Sequence, residues 1–313
     1  MVATRQSMSI GFVHTRGTLD HYVAVLRQKP EMANTIDILD ISLLDLTKPL
    51  PILKVKSLLA FAANITTLSI DITGISSRQA RLLIKDIKLD SLIAFSTSTL
   101  PHDAAALFFV NHPRIVSLSI GICTEHSGSC DLLHVPRLQL LEEIRGPAAC
   151  SVNIVSSQTR TIAVSHGTAN ECIALFAGLR DTNAVVFTLD IPFVHKDVYI
   201  LIQGLQALPT VSALRLREAE TMNSTSYKWL HNQLWNTAFR RMHNLKQFEL
   251  RTSTALIANP GAMEEERWLI GSWKTQLQAN GRKVEDQYGN GILFELKPPV
   301  PVKNRGEKSC YFS

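Results

Sequence analysis

Apolar residues recur along this chain in a six-residue pattern, apolar-x-x-apolar-x-apolar, with polar residues at several of the intervening positions. The clearest copy is Ile115, Leu118 and Ile120, in which Ser117 and Ser119 stand between apolar positions. Side chains alternate along a β-strand, so the fourth and sixth positions of a copy lie on the same face. The pattern therefore predicts short strands, each with one apolar face.

Nine copies of the pattern follow one another at nearly regular intervals. Their first residues are Ile36, Ile65, Leu89, Ile115, Leu138, Thr159, Val186, Val211 and Leu245. These starts are separated by 29, 24, 26, 23, 21, 27, 25 and 34 residues. All gaps but the last lie within the roughly 20–29 residue period of leucine-rich repeats. The copies from Leu89, Leu138 and Thr159 are the weaker ones, and Glu143 takes the sixth position of the copy from Leu138.

Segments with helical spacing of apolar residues precede most of these strands, and short turns that contain proline separate helix from strand. A strand this short cannot bury its apolar face alone, but stacked neighbours share a continuous core. Alternating helices and same-sense strands predict an α/β fold with a parallel sheet. We therefore predict an irregular, horseshoe-like leucine-rich-repeat solenoid, with parallel strands on one face and helices on the other.

The repeats predict one solenoid over residues 18–296, whose first helix opens near Thr18. Residues 224–242 read as the longest helix, which explains the last gap of 34 residues. Residues 292–296 alternate in hydrophobicity and predict a terminal strand that caps the open edge of the sheet. We expect residues 1–17 to be irregular or disordered, and the Pro- and Lys-rich residues 297–313 to be disordered.

Composition narrows the function classes. The 313 residues are 45% hydrophobic with a net charge of +5, and the basic residues are dispersed, so we expect no nucleic-acid partner. No apolar run approaches the roughly 18 residues of a membrane span, and the first residues lack the apolar core of a secretory signal. Five cysteines without framework spacing indicate reduced thiols. We therefore expect a cytoplasmic or nuclear protein that is not secreted.

One polar insertion, residues 121–136, contains ligand types that zinc prefers. The set is Cys123, His126, Cys130 and His134. Its spacing, C-x2-H-x3-C-x3-H, matches no standard zinc module. The alternative is that Cys123 occupies the position where these repeats favour Asn or Cys, and that the histidines are loop residues. We expect no metal from the sequence and name these four residues as the set to test.

Enzyme signatures are absent from the sequence. No P-loop, dinucleotide glycine fingerprint, nucleophile elbow or zinc-protease helix occurs, so we expect no catalytic residues and no cofactor. The strand face of a repeat scaffold usually binds a partner. The residues between core positions are therefore the partner-binding candidates: Thr67, Ser69, Ser117, Ser119, Thr188, Ala213, Arg215, Glu249 and Arg251.

The chain ends in Cys-Tyr-Phe-Ser, which has the form of a prenylation signal on Cys310. Lys303, Arg305 and Lys308 lie just upstream. One prenyl chain with three basic residues predicts weak, reversible membrane association. Tyr311 and Phe312 are aromatic where such signals usually carry aliphatic residues.

Residues from about 14 to 296 resemble the leucine-rich-repeat region of F-box proteins from mushroom-forming fungi. The resemblance lies in the phrases at residues 112–118 (HPRIVSL), 208–214 (LPTVSAL) and 138–147 (LQLLEEIRGP), and in the late tryptophan-bearing helix. It implies a substrate-recognition arm of a cullin–RING ubiquitin ligase, in which an F-box engages a Skp-type adaptor.

Two features depart from that family. No F-box precedes the repeats, so a Skp-type adaptor is an expected partner only if an F-box is supplied or hidden. The asparagine ladder of regular repeats is mostly missing, with Thr73, Thr97 and Ser253 at those positions. The alternative is a repeat-only adaptor without a ligase role, tethered to membranes by prenylation at Cys310.

Overall fold

A computed structural model describes residues 9–44, 49–121, 123, 130–193, 198–218, 237–239, 241–253 and 307–310. The chain divides into two compact units, Met1–Gln158 and Thr159–Ser313. Each unit consists of strands and helices. The single solenoid expected over residues 18–296 stays a prediction.

Unit 1 begins with a strand and alternates strand with helix throughout. Its strands are β1 (Ser9–Val13), β2 (Ile36–Leu43), β3 (Thr67–Ile72), β4 (Ala94–Thr97), β5 (Ser117–Ile120) and β6 (Glu143–Gly146). Its helices are α1 (Arg16–Gln28), α2 (Ile52–Phe61), α3 (Ser77–Ile84), α4 (His102–Asn111) and α5 (Ala148–Ser151), with 3-10 helices at Pro30–Thr35 and Asp131–His134.

The six strands of unit 1 pair in chain order, and every pair is parallel. The register aligns the fourth position of each repeat into one column of buried side chains: Leu39, Leu68, Phe95, Leu118 and Ile144. This arrangement confirms the predicted fold class, a parallel α/β stack of leucine-rich-repeat type, within the unit.

The helices of unit 1 close the core over that column. Phe95 of β4 lies with its ring centroid 4.6 Å from that of Phe108 and 5.9 Å from that of Phe109, both on α4. All three rings are buried. Aromatic pairs at these separations stabilise the packing by about 0.5–1.5 kcal/mol beyond the area they bury. Strand and helix of one repeat thus share one apolar layer.

Two of the nine predicted repeat copies are wrong by three residues. The strand of the third repeat carries Phe95 at its fourth position, rather than Leu92, and the fifth carries Ile144, rather than Leu141. In each case the predicted copy began in the turn before the strand, where Leu92 N–H bonds to Leu89 O and Leu141 N–H bonds to Leu138 O. A turn of that kind has buried residues three positions apart in the sequence. The strand pattern has the same spacing between its first and fourth positions, so the two cannot be distinguished by spacing.

The N-terminal boundary also differs from the prediction. Residues 9–13, expected to be irregular, form β1 and pair in parallel with β2. The repeat pattern misses β1 because Gly11, which has no side chain to bury, occupies its fourth position opposite Leu39. Helix α1 begins at Arg16, and a capping box places Thr15 at the N-cap with Thr18 three residues inside the helix.

Unit 2 begins with the same alternation of strand and helix and ends in successive strands. Its elements are β7 (Thr161–Val164), α6 (Ala169–Asp181), β8 (Thr188–Phe193), α7 (Val198–Leu205), β9 (Ala213–Glu218), β10 (Gln247–Ser253) and β11 (Glu307–Cys310). Strands β7 to β10 are parallel and pair in chain order. Its buried column of Ile162, Leu189 and Leu214 matches the predicted copies.

The end of unit 2 differs from the prediction. Strand β11 pairs antiparallel with β10, with Cys310 opposite Leu250, although residues 297–313 were expected to be disordered. Backbone pairing with an edge strand needs no apolar pattern in the added segment, so the sequence carried no signal for it. The predicted capping strand at residues 292–296 lies outside the described residues, as does most of the helix predicted at 224–242. Among described residues, no helix is long and apolar enough to cross a membrane.

A buried histidine predicts how stability depends on pH. His112 stacks on Phe108 at 4.0 Å between ring centroids. Its Nδ1 lies 2.7 Å from Phe108 O, and Leu89 N–H donates to its Nε2 at 3.1 Å. The ring is therefore neutral, with its proton on Nδ1. Burial lowers the pKa of His112 below its usual 6.5.

We expect wild-type stability to fall as pH drops below about 6.5, because only the unfolded chain then protonates this ring. The loss continues down to the lowered folded pKa, with a slope of at most about 1.4 kcal/mol per pH unit. Urea unfolding of wild type and His112→Gln between pH 7.5 and 5.0 measures this component, since both proteins share the other titrating groups. Parallel profiles for the two proteins would contradict the assignment.

Candidate functional site

The exposed face of the unit 1 sheet carries small polar residues in register. One row across neighbouring strands runs from Ser69 through Ser96 to Ser119, and ends at Arg145. The three serines are half-buried, whereas Arg145 is exposed. Strands lie about 4.8 Å apart, so short side chains in successive strands leave a nearly flat polar surface. Another polypeptide can therefore approach this part of the sheet closely.

Larger groups border this flat region on both sides. On one side, Phe12 of β1 lies opposite Asp40 of β2 and is 53% exposed, and Ile10 is 47% exposed. His14 Nε2 lies 3.4 Å from Asp40 Oδ2. On the other side, Glu143 of β6 is exposed and accepts a hydrogen bond from Ser117 Oγ at 3.4 Å. The surface thus has an apolar edge, a small polar centre and a charged edge.

The exposed face of unit 2 is charged instead. Arg215 Nη1 lies 3.3 Å from Asp190 Oδ2, and Arg217 Nε lies 2.6 Å from Asp190 Oδ1. Arg217 also donates to Val164 O. Asp190 is therefore shared by two guanidinium groups. In the register of β9 and β10, Glu249 stands opposite Arg215, and Arg251 stands opposite Arg217.

The predicted partner-binding residues all lie in strands, and Glu249 and Arg251 belong to β10. Thr67, Ser69, Ser117 and Ser119 lie in unit 1, and Thr188, Ala213 and Arg215 lie in unit 2, all half-buried. Sequence reasoning missed Ser96 and Arg145, because the third and fifth repeat copies were read three residues too early. Whether these residues bind a partner stays a prediction.

A second feature of unit 1 is a buried cluster of one histidine and three cysteines. Nδ1 or Nε2 of His102 and the sulfur atoms of Cys123, Cys130 and Cys150 all lie within 4.8 Å of one another. His102 is 4% exposed, Cys130 3% and Cys150 1%, while Cys123 is intermediate. Cys130 and Cys150 form no disulfide.

The parallel sheet brings these four residues together. Strands β4, β5 and β6 run side by side, and their carboxyl ends lie at the same edge of the sheet. His102 begins α4, five residues after the last residue of β4, and Cys123 comes three residues after β5. Cys150 lies in α5, four residues after β6, and Cys130 immediately precedes a 3-10 helix. Three successive repeats therefore converge on the cluster.

Backbone contacts orient the histidine ring. His102 Nε2 lies 3.2 Å from Gly121 O, and Nδ1 lies 3.2 Å from the sulfur of Cys130. A carbonyl oxygen can only accept, so Nε2 carries the proton and donates it to Gly121 O. The unprotonated Nδ1 is then left facing the cysteines.

Ion pairs next to the cluster connect the segment that carries His102 with the segment that carries Cys130. Asp103, next to His102, accepts hydrogen bonds from Ser77 Oγ and from Arg81 Nε, the latter at 2.7 Å. Arg81 Nη2 also lies 3.9 Å from Oδ2 of Asp131, which follows Cys130. Burial would raise the pKa of Asp103, but these hydrogen bonds outweigh it and hold the pKa below its usual value. Arg81 thus links the segment carrying His102 to the segment carrying Cys130.

The thiols perturb one another's acidity. A hydrogen bond from Cys150 lowers the pKa of Cys130, against the opposing effect of burial. The same contact with Cys130 raises the pKa of Cys150. Cys172, which is buried in unit 2, differs from these thiols in the cause of its shift. Burial is the main cause that raises its pKa to about 12.

The cluster partly corrects the zinc-ligand set named from the sequence. Cys123 and Cys130 do lie together, but His134 is exposed and outside the group, and His126 lies outside the described residues. Sequence reasoning missed His102 and Cys150 because they come from neighbouring repeats, 21 residues before Cys123 and 20 after Cys130. The sequence feature that His102 and Cys150 share is that each lies a few residues after the end of a strand. That feature can be recognised only when the strand ends are correctly assigned.

Comparisons with known proteins find a likeness in structure and none in sequence. No protein-family model matches the sequence, and no curated protein is similar to it. Among solved structures, the leucine-rich-repeat-containing protein LegL7 from Legionella pneumophila aligns with a TM-score of 0.48 and 12% identity, covering 86% of this chain and 92% of that one. A likeness at this level assigns neither activity nor partner.

The backbone at Gly121, whose carbonyl oxygen contacts His102, yields a testable prediction. A Cβ at Gly121 would overlap the backbone carbonyl of Ser98. We expect Gly121→Ala to lower the free energy of unfolding by about 1–3 kcal/mol, the usual cost of overpacking. Thermal and urea unfolding measure this loss.

Gly17→Ala is the matched control. Gly17 lies in α1, and a Cβ there would come no closer than 3.8 Å to another group, Thr15 Oγ1. Alanine at such a helical position stabilises by about 0.5–1 kcal/mol. Equal effects of the two substitutions would contradict the close approach of Gly121 to Ser98.

Proposed function

We propose that this protein is a non-catalytic scaffold that binds a protein partner on the exposed faces of its parallel strands. The observation that supports this most is the row of half-buried serines Ser69, Ser96 and Ser119, which lie in register across β3, β4 and β5. The buried column of Leu68, Phe95 and Leu118 fixes the positions of their strands. A rigid flat surface loses little conformational entropy when a partner binds.

The chemistry of the borders supports the same proposal. Exposed aromatic and aliphatic side chains, such as Phe12 and Ile10, provide the apolar contacts that dominate binding energy at protein interfaces. Asp40 and Arg145, at opposite ends of the serine row, provide charges that fix orientation. The partner that suits this face has a flat or extended segment with a small-residue centre and an apolar contact at the β1 end.

The finer proposal concerns ubiquitin ligation. The phrases at residues 112–118, 138–147 and 208–214 resemble those of fungal F-box repeat proteins, which supports a substrate-recognition role in a cullin–RING ligase. If an F-box is supplied or hidden, a Skp-type adaptor binds this protein through it, and the partner on the strand face is the ligase substrate. Without adaptor binding, the protein is a repeat-only adaptor. Under either reading we propose a cytoplasmic or nuclear location.

Charge placed in the serine row tests the scaffold proposal. We expect Ser96→Arg combined with Ser119→Arg to weaken partner binding at least tenfold, about 1.4 kcal/mol, because two long cations then stand in the flat centre. Affinity capture followed by quantitative mass spectrometry identifies proteins that bind wild type, and purified pairs are then titrated. Ser91→Arg, at an exposed turn before β4, is the matched control.

A partner that loses affinity for the double variant but not for Ser91→Arg supports the proposal. If every captured protein binds the double variant as it binds wild type, the strand face of unit 1 is not the binding surface. Titration with a purified Skp-type adaptor tests the ligase role separately, and no binding by the full chain removes that role while leaving the scaffold.

Cys310 tests the membrane-tethered alternative. Cys310 ends β11, three residues from the chain terminus, and its prenylation stays a prediction. If the tether exists, Cys310→Ser moves the protein from the membrane fraction to the supernatant, because a single prenyl chain supplies most of the affinity. Ser309→Ala is the control, because it keeps the cysteine, the three residues after it and the basic residues upstream. Identical fractionation of wild type and Cys310→Ser contradicts the tether.

A further inference from the structure

We propose that His102, Cys123, Cys130 and Cys150 bind one zinc ion, which cross-links three successive repeats of unit 1. This inference does not depend on the partner that the strand face binds. It rests on the identity of the four ligands, on their mutual distances and on the orientation of the histidine ring.

The donor set is one that zinc prefers. Three thiolates and one imidazole form a Cys3His site, which is a common closed, four-coordinate structural site. In a tetrahedral site with Zn–S distances of about 2.3 Å, ligand atoms lie about 3.8 Å apart. The four donors of the cluster all lie within 4.8 Å of one another, and the sulfur of Cys130 lies 3.2 Å from His102 Nδ1. Shifts of about 1 Å or less at each donor therefore complete the tetrahedron.

The histidine is arranged as a metal ligand usually is. Ligating histidines donate their second ring N–H to a carboxylate or backbone carbonyl, which fixes the tautomer. His102 Nε2 does so to Gly121 O at 3.2 Å, which leaves Nδ1 to face the three sulfur atoms. His112, the residue that follows the last residue of α4, provides the contrast. Both of its ring nitrogens are occupied by backbone groups, so it has no lone pair to offer.

The surroundings also fit a structural ion. Asp103 and Asp131, which follow His102 and Cys130 in the chain, pair with Arg81 and stay outside the ligand group. Three thiolates and one zinc ion carry a net charge of −1, so zinc removes two of the three negative charges that the thiolates alone would place in this buried site. With four protein ligands the ion has no open position for a substrate, so its role is to hold the segments after β4, β5 and β6 together.

Buried thiols without a metal would look different. Cys172 is as deeply buried as Cys150, yet it belongs to no group of metal-ligating side chains among the residues that the structure describes. Burial of a single thiol among apolar residues is ordinary. In the cluster, by contrast, three buried thiols surround one imidazole. All four groups bind a metal ion in their deprotonated form. A bound zinc ion supplies the positive charge that stabilises three thiolates in a buried site.

Metal analysis of the purified, tag-free full chain tests the proposal. The protein is produced with zinc in the medium and kept reduced. We expect about one zinc per chain for wild type and for Cys172→Ser, and less than about 0.2 for Cys130→Ser, Cys150→Ser and His102→Ala. His102→Cys keeps four suitable ligands and should restore zinc binding. Cobalt substitution should give the thiolate-to-cobalt charge-transfer and tetrahedral d–d absorption bands in wild type and not in Cys130→Ser.

A second measurement covers variants that fail to fold. Removal of zinc from the wild-type protein by a chelator should lower its melting temperature, and added zinc should restore it, because an ion bound only to the folded state stabilises that state. Zinc-free wild-type protein, or equal zinc in wild type and in the ligand variants, overturns the proposal. A disulfide between Cys130 and Cys150 in wild-type protein that is purified in parallel without added reductant also overturns it.

Discussion

The structure of each unit depends on one constraint, the parallel register that places equivalent residues of successive repeats side by side. In unit 1 that register stacks Leu39, Leu68, Phe95, Leu118 and Ile144 into one buried column. No strand of four to eight residues could bury such a side chain alone. Each repeat therefore acquires its stability from its neighbours, and the core grows along the stack rather than around a centre.

The same register decides what happens on the opposite face and at the strand ends. Residues between core positions fall into rows, so short side chains in three neighbouring strands become a continuous surface. Strand ends fall at one edge, so residues a few positions beyond them meet. The surface around Ser96 and the cluster around His102 are thus two consequences of one geometry. A slip of one residue would destroy both, because it would turn every strand side chain to the other face.

The cluster also shows how a repeat protein can make a site that no single repeat contains. Each of three repeats contributes ligands from a different local structure: the first turn of α4, the segment after β5 and the short helix α5. Gly121 lets two of these segments approach, because any side chain there would overlap Ser98. Arg81 joins them from α3. Because separate helices and strand ends position the four donor residues, they lie close together without a single loop motif that carries all of them.

Much of the fold could be predicted from the sequence because its signal is local. A period of about 25 residues with two apolar positions per strand specifies short parallel strands and alternating helices, and these appear in both units. The signal failed where local patterns were ambiguous. Leu89 and Leu138 begin turns whose apolar spacing imitates a strand, and Gly11 hides a strand because it has no side chain.

The chemistry of the cluster could be predicted only in part. Cys123 and Cys130 share one insertion and were visible as a pair, but their partners His102 and Cys150 lie in neighbouring repeats. Hydrophobic periodicity along the chain determined that strands stack, because burial of an alternating face needs only local spacing. Only the tertiary structure decided which polar side chains lie together. Their meeting depends on where each strand ends and the chain turns back, and local spacing does not specify that point.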